Sequence, residues 1–153
     1  HQSSPADLDQ ESTQAALDAF QLYLNSFPES IKVEEVNTMI DDLRARLELK
    51  DVTNAFLYYK ILDYKAAYWA LKNVLETYPN TARREEIQFT IFKSAYLYAS
   101  LSDPKKQMER YEESLRYYNQ FVEKYPQSIY RTEADRLNQE VKALIDNLKS
   151  VQK

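Results

Sequence analysis

Ala67-Tyr68-Trp69-Ala70-Leu71-Lys72-Asn73-Val74-Leu75-Glu76-Thr77-Tyr78-Pro79-Asn80-Thr81 decides the fold, because the chain says it three times. The aromatic-proline step at its end also occurs as Phe27-Pro28 and Tyr125-Pro126, so that the prolines lie 51 and 47 residues apart. Upstream of the other two steps read Ala16-Leu17-Asp18-Ala19-Phe20-Gln21-Leu22-Tyr23-Leu24 and Ser114-Leu115-Arg116-Tyr117-Tyr118-Asn119-Gln120-Phe121-Val122. Downstream, Ser30, Thr81 and Ser128 each sit two residues past the proline, and Val36, Ile87 and Ala134 each sit eight past it. Self-similarity at this period marks a helical repeat array. Such arrays bury a face between neighbouring repeats and display broad surfaces to other molecules, so the pattern points to binding rather than chemistry.

Periodicity fills in the elements. A first helix is predicted from Ser12 as N-cap to Ser26, with Ala16, Phe20, Tyr23, Leu24 and Phe27 on its apolar face. Val36, Ile40, Leu43, Leu47, Asn54, Tyr58 and Ile61 then keep one 3.6-residue phase, with Asp51 in the series. That predicts a single helix over 31–62, roughly 45 Å long, or two coaxial ones hinged near Lys50–Thr53. Asp63 is expected to take the left-handed conformation at the next corner, since its short polar side chain bonds locally. A helix follows over 64–78, and Thr81 is expected to cap another reaching Leu101, with Ile87, Ile91, Ala95 and Tyr98 on one face. Asp103 as N-cap and Pro104 at the first helical position start the next, carried by Met108, Tyr111, Leu115, Tyr118, Val122 and Tyr125. Ser128 caps a last helix with a narrow stripe of Leu137, Val141, Leu144 and Leu148, as a terminal capping helix would have. Asp42/Arg46 and Glu112/Arg116 have the spacing of surface ion pairs. The expectation is an all-α, tetratricopeptide-like array (an α-solenoid) of six or seven helices in antiparallel pairs. Residues 1–11 would be a flexible N-terminal segment and 12–150 a single helical-repeat domain.

Composition excludes much else. Of 153 residues, 44% are hydrophobic and 29% charged, which suits a folded chain. The net charge of −4 comes from interleaved signs, so no basic stripe marks a nucleic-acid partner or a membrane surface. Glycine is absent, which argues against phosphate loops and dinucleotide folds. With no cysteine, and His1 as the lone histidine, neither a nucleophilic triad nor a zinc site can be assembled. No run of apolar residues is long enough to span a bilayer. The opening His1-Gln2-Ser3-Ser4-Pro5 reads as the start of a mature form or fragment.

Carboxylate neighbours Glu34-Glu35, Asp41-Asp42, Glu85-Glu86 and Glu112-Glu113 are the only candidates for acid–base work. Adjacent helical residues point about 100° apart, and all four pairs fall at solvent phases, so no enzyme is expected: no catalytic residue, metal or cofactor site. The tyrosines are more informative, because twelve of thirteen fall between Tyr58 and Tyr130. Tyr64, Tyr78, Tyr111 and Tyr125 recur at equivalent repeat positions and are expected to fill the space between helices. Tyr58-Tyr59, Tyr117-Tyr118 and Tyr68-Trp69 cannot bury both members on one face. Exposed Tyr and Trp are typical interface anchors. Tyr68, Trp69, Lys72, Asn73, Arg83 and Arg84 are therefore the candidate protein-binding residues; for Arg83-Arg84 and Lys105-Lys106 the plainer reading is solvated charge near a helix start.

The run Leu43-Arg44-Ala45-Arg46-Leu47-Glu48, then Ala55 through Ala67 with Tyr58-Tyr59, then Val74-Leu75-Glu76-Thr77-Tyr78-Pro79-Asn80-Thr81, resembles the BamD family. Members are lipoproteins of the outer-membrane β-barrel assembly machinery, and the likeness spans about residues 12–148. The resemblance implies a non-enzymatic periplasmic scaffold, held at the outer membrane only through a lipid anchor that this chain does not contain. It implies that the chain is the C-terminal part, associated with docking to the POTRA domains of the barrel-forming subunit and to other assembly lipoproteins. Asp63 stands where the family's hairpin usually has Gly, and the tail is longer than in many members. The other readings are a Tyr-Pro repeat adaptor in envelope division or peptidoglycan synthesis, and a helical carboxylate hydrolase.

Overall fold

A computed structural model describes residues 10–151, and among these six helices and no strand form. They are α1 (Gln10–Ser26), α2 (Val33–Lys60), α3 (Tyr64–Thr77), α4 (Arg84–Ser100), α5 (Pro104–Lys124) and α6 (Arg131–Val151). The fold is all-α and tetratricopeptide-like. Residues 1–9, most of the expected flexible segment, lie outside the described residues. Because α1 already includes Gln10, Ser12 lies inside the helix rather than at its cap.

The three aromatic-proline corners repeat bond for bond. The amides of Phe27, Tyr78 and Tyr125 donate to the carbonyls of Tyr23, Val74 and Phe121, at 2.9, 2.8 and 2.8 Å. Those of Ser30, Thr81 and Ser128 donate back to Phe27, Tyr78 and Tyr125, at 3.1, 3.1 and 3.2 Å. The hydroxyls of Ser30, Thr81 and Ser128 then accept from the amides of Lys32, Arg83 and Tyr130. Proline forces the exit from each helix because it cannot donate in the ladder. The hydroxyl residue satisfies an amide of the turn that leads into the next helix. Thr81 and Ser128 thus cap this lead-in turn, and α4 and α6 begin three residues after them rather than directly. Val36, Ile87 and Ala134, the first inward residues beyond each corner, are all buried.

α2 is one helix through Lys50–Thr53, from Val33 to Lys60. Its buried face does change, however. Val36 and Ile40 are buried early, but later Val52 and Ala55 are buried while Asn54, Tyr58 and Ile61 are exposed. The stripe advances five residues from Leu47 to Val52, so the buried positions change phase along the helix.

The corner after α2 also differs from expectation. Leu62, not Asp63, holds the left-handed conformation, with φ of 65°. Leu62 N–H donates to Tyr59 O and Asp63 N–H to Tyr58 O, which closes the helix in a Schellman motif. Asp63 instead caps α3, its Oδ1 accepting from Ala66 N–H at 3.0 Å. A capping residue needs negative φ, so the strained position falls one residue earlier.

The chain divides into two compact units, residues 1–53 and 54–153. In the first, Thr13, Val36, Ile40 and Val52 are buried, and Tyr23 Oη bonds Ser30 Oγ at 2.8 Å. In the second, α4 is central and packs against α3, α5 and α6. It buries residues on every side, including Ile87, Phe89, Ile91, Phe92, Ser94, Ala95 and Ala99, so the single predicted face was too narrow. Ring contacts fix the directions. Phe89–Phe121, Phe92–Tyr118 and Tyr96–Tyr111 run in opposite order along α4 and α5, which are antiparallel. Lys93–Glu133 and Tyr96–Glu140 run in the same order along α4 and α6, which are parallel. Within this unit α5 thus opposes α4 and α6 aligns with it, as stacked helical hairpins require.

Asp103 and Pro104 start α5 as predicted, with Asp103 Oδ1 accepting from Lys105 N–H. The ion pairs Asp42/Arg46 and Glu112/Arg116 do not form, whereas Arg83–Glu86, Lys93–Glu133, Arg131–Asp135 and Arg136–Glu140 do. Exposed pairs gain little in water, so spacing alone does not hold them.

Candidate functional site

The doublets split as their helices demand. Tyr68 is 5% exposed and Trp69 is 52% exposed. Tyr58 is exposed and Tyr59 half-buried, while Tyr117 and Tyr118 are both half-buried because α5 has neighbours on two sides. Tyr117 faces Tyr68 of α3, and Tyr118 donates to Asp135 of α6 at 2.7 Å. Tyr111 is buried and Tyr125 half-buried in the clusters shared by α4, α5 and α6, while Tyr64 and Tyr78 are half-buried.

Tyr68, Trp69 and Lys72 come together on α3. The Lys72 ammonium lies 4.9 Å from the Trp69 ring, 5.1 Å from that of Tyr68 and 5.7 Å from that of Tyr117. The negative faces of three rings hold the cation. Tyr68 meets Trp69 and Tyr117 edge-on, with centroids 5.3 and 5.5 Å away. Its hydroxyl donates to Glu113 Oε1 at 2.7 Å and lies 2.9 Å from the Tyr117 hydroxyl. Burial first, then the bonds to Tyr117 and Glu113, push the Tyr68 hydroxyl well above its ordinary pKa. It therefore stays a donor, and the exposed indole next to it rests on a fixed base. Asn73 is exposed on the same helix.

Arg83 and Arg84 do not join this cluster. Arg83 grips both oxygens of Glu86, at 2.9 and 3.0 Å, and stacks 4.4 Å from the Phe56 ring. Arg84 donates to the Pro79 carbonyl at 2.7 Å, and Arg131 repeats that bond to Pro126 at the next corner. Both arginines serve the corner itself. Lys105 and Lys106 are exposed.

Sequence reasoning missed Glu113 and Tyr117 as members of the cluster. Glu113, expected to face solvent, is half-buried and accepts from Tyr68. The signal lay in the repeat: Tyr68 and Tyr117 are 49 residues apart, between the two proline spacings. Residues about one period apart on alternate helices lie side by side. Of the other carboxylate pairs, Glu85 and Glu86 are also half-buried, whereas Glu34, Glu35, Asp41 and Asp42 are exposed.

Paired helices with capped aromatic-proline corners, and an aromatic face gripping a cation between α3 and α5, define a tetratricopeptide-like repeat protein. The sequence profile of the outer membrane lipoproteins named YfiO matches residues 1–110. The chain belongs to that family, the one that includes the BamD-like proteins its repeats resemble. No curated protein matches it. Among the described residues, no helix is long and apolar enough to cross a membrane.

Proposed function

We propose that this chain is a non-enzymatic, periplasmic scaffold of the outer-membrane β-barrel assembly machinery. It docks partner subunits, the POTRA domains of the barrel-forming protein and other assembly lipoproteins, through the face of α3 and α5. Membership of an outer membrane lipoprotein family supports the setting. The observation that carries the reading is Trp69, half-exposed and braced by Tyr68 and Lys72. A large side chain that is already ordered loses little entropy on docking, and Trp at the centre of a patch is the commonest binding hot spot.

The test is a photo-crosslinking amino acid placed at position 69 in cells, with position 142 on α6 as control. The expected adduct joins position 69, and not 142, to a POTRA-containing subunit. Adducts only with division or peptidoglycan-synthesis proteins would replace this reading with the adaptor alternative.

A further inference from the structure

Beside Lys72, a cavity of about 170 Å³ opens between α3, α4 and α5. Its apolar lining is Leu75 and Ile91 together with the rings of Tyr117 and Phe121. An apolar cavity of about 150 Å³ holds one benzene ring, so this one has room for a single phenyl-sized group. Two polar features bound it. Gln88 lines the cavity, and its Oε1 is buried with no hydrogen-bond partner. An acceptor in that state gains from any N–H brought to it. Lys72 also lines the cavity, and among the described residues no carboxylate comes within ion-pair distance of its ammonium. Glu76, one turn further along α3, places negative charge elsewhere on the lining. An acidic group is thus attracted on the Lys72 side and repelled on the Glu76 side.

We propose that this cavity anchors one aromatic side chain of a partner polypeptide, whose backbone N–H donates to Gln88 Oε1 and whose neighbouring acidic residue faces Lys72. The proposal rests on the docking role given to this face and specifies the chemistry of the partner. The two ring walls favour an aromatic occupant, because edge and offset contacts add to simple burial. The asymmetry of Lys72 and Glu76 fixes which way the segment lies.

The probes are blocked hexapeptides carrying Asp-Phe or Phe-Asp at their centre, titrated into the whole chain. Readouts are the NMR shifts of the Gln88 side-chain amide and the Ile91 methyls. The better of the two orders should give saturable shifts at both. Replacing its Phe by Ala should weaken binding at least tenfold, ~10-fold being the least a lost anchor costs. Replacing its Asp by Lys should weaken it about fivefold. Gln120→Trp, at an exposed rim position, should block the cavity and abolish the shifts, and Gln88→Met should weaken binding about fivefold. Equal affinity for the Phe and Ala peptides, shifts that survive Gln120→Trp, or no saturable shift at all would overturn the proposal. If position 69 still crosslinks to a POTRA-containing subunit while the peptides fail, the docking face stands and the anchor falls. If the peptides bind while no such adduct forms, the anchor stands and the docking role falls.

Discussion

At the scale of single residues, the Tyr68–Glu113–Tyr117 group connects stability to display. Glu113 is satisfied by phenol hydroxyls rather than by a cation, which leaves Lys72 to the rings. Tyr68→Phe keeps the ring and removes the donor, so it should cost about 1–2 kcal/mol by leaving part of a carboxylate unpaired. Thermal unfolding checks this; an unchanged midpoint would mean that water replaces the hydroxyl. The same bonds predict an alkaline limit. The Tyr68 hydroxyl is raised above its ordinary value of 10.0, and Tyr96, Tyr111, Tyr118 and Tyr130 shift the same way, each mainly through burial. Above pH 10 the unfolded chain sheds protons that the folded one keeps. Stability is therefore intact below pH 10 and declines as pH rises beyond it. Followed residue by residue in the ring NMR signals, ionisation of Tyr68, Tyr96, Tyr111, Tyr118 and Tyr130 should appear together with loss of helical dichroism; these five titrating near 10 in a fully helical protein would contradict the burial. Trp69→Ala, by contrast, should change stability by no more than about 0.5–1 kcal/mol because the indole is half in water, yet weaken capture of the partner by about tenfold or more.

At the scale of elements, the corners were legible because proline, aromatic and hydroxyl residues each have one local job, and all three corners close with the same bonds. What was not legible is where strain falls and which face is covered. Asp63 looked like the left-handed residue by type, but the N-cap of α3 claims it, and Leu62 takes the cost. A non-glycine residue in that region costs roughly 1–2 kcal/mol, and Leu62 is 65% exposed, so its side chain buries little in return. Leu62→Gly should stabilise the chain by about 0.5–1 kcal/mol, the relief of strain less the added freedom of the unfolded glycine. Asp63→Ala should destabilise it by about 1 kcal/mol. Denaturant midpoints of the two variants check the assignment, since swapped signs would mean Asp63 carries the strain. The register change in α2 escaped for a related reason. Apolar spacing shows that a stripe exists, but Asn54, Tyr58 and Ile61 continued one phase as plausibly as Val52 and Ala55 began another.

At the scale of the whole molecule, α6 was expected to be a one-sided terminal cap, and its narrow apolar stripe reads that way. Its buried residues say more. Ala134 and Leu137 join Phe89, Phe92 and Phe121 in one cluster, and Val141 and Ile145 join Ala99 and Tyr111 in another. Both clusters need α4, α5 and α6 together, although the family profile ends at residue 110, within α5. The part that identifies the family thus depends on residues beyond the match to complete its core. The sequence could not show this, because a stripe of four leucine-like residues looks the same whether it seals an edge or finishes a core. Val141→Asp separates the two. Val141 is fully buried, and an unpaired charge there should cost at least about 3–5 kcal/mol. Were α6 only a cap, it would peel away and leave α3 to α5 standing, as terminal repeats of linear arrays can. With the core shared, residues 54–153 should instead melt as one body. The lone tryptophan reports on this, since Trp69 sits on α3 and takes no part in either cluster. Its fluorescence should follow helical dichroism through a single transition at lower denaturant in Val141→Asp; a first transition silent to Trp69 would make α6 the detachable cap.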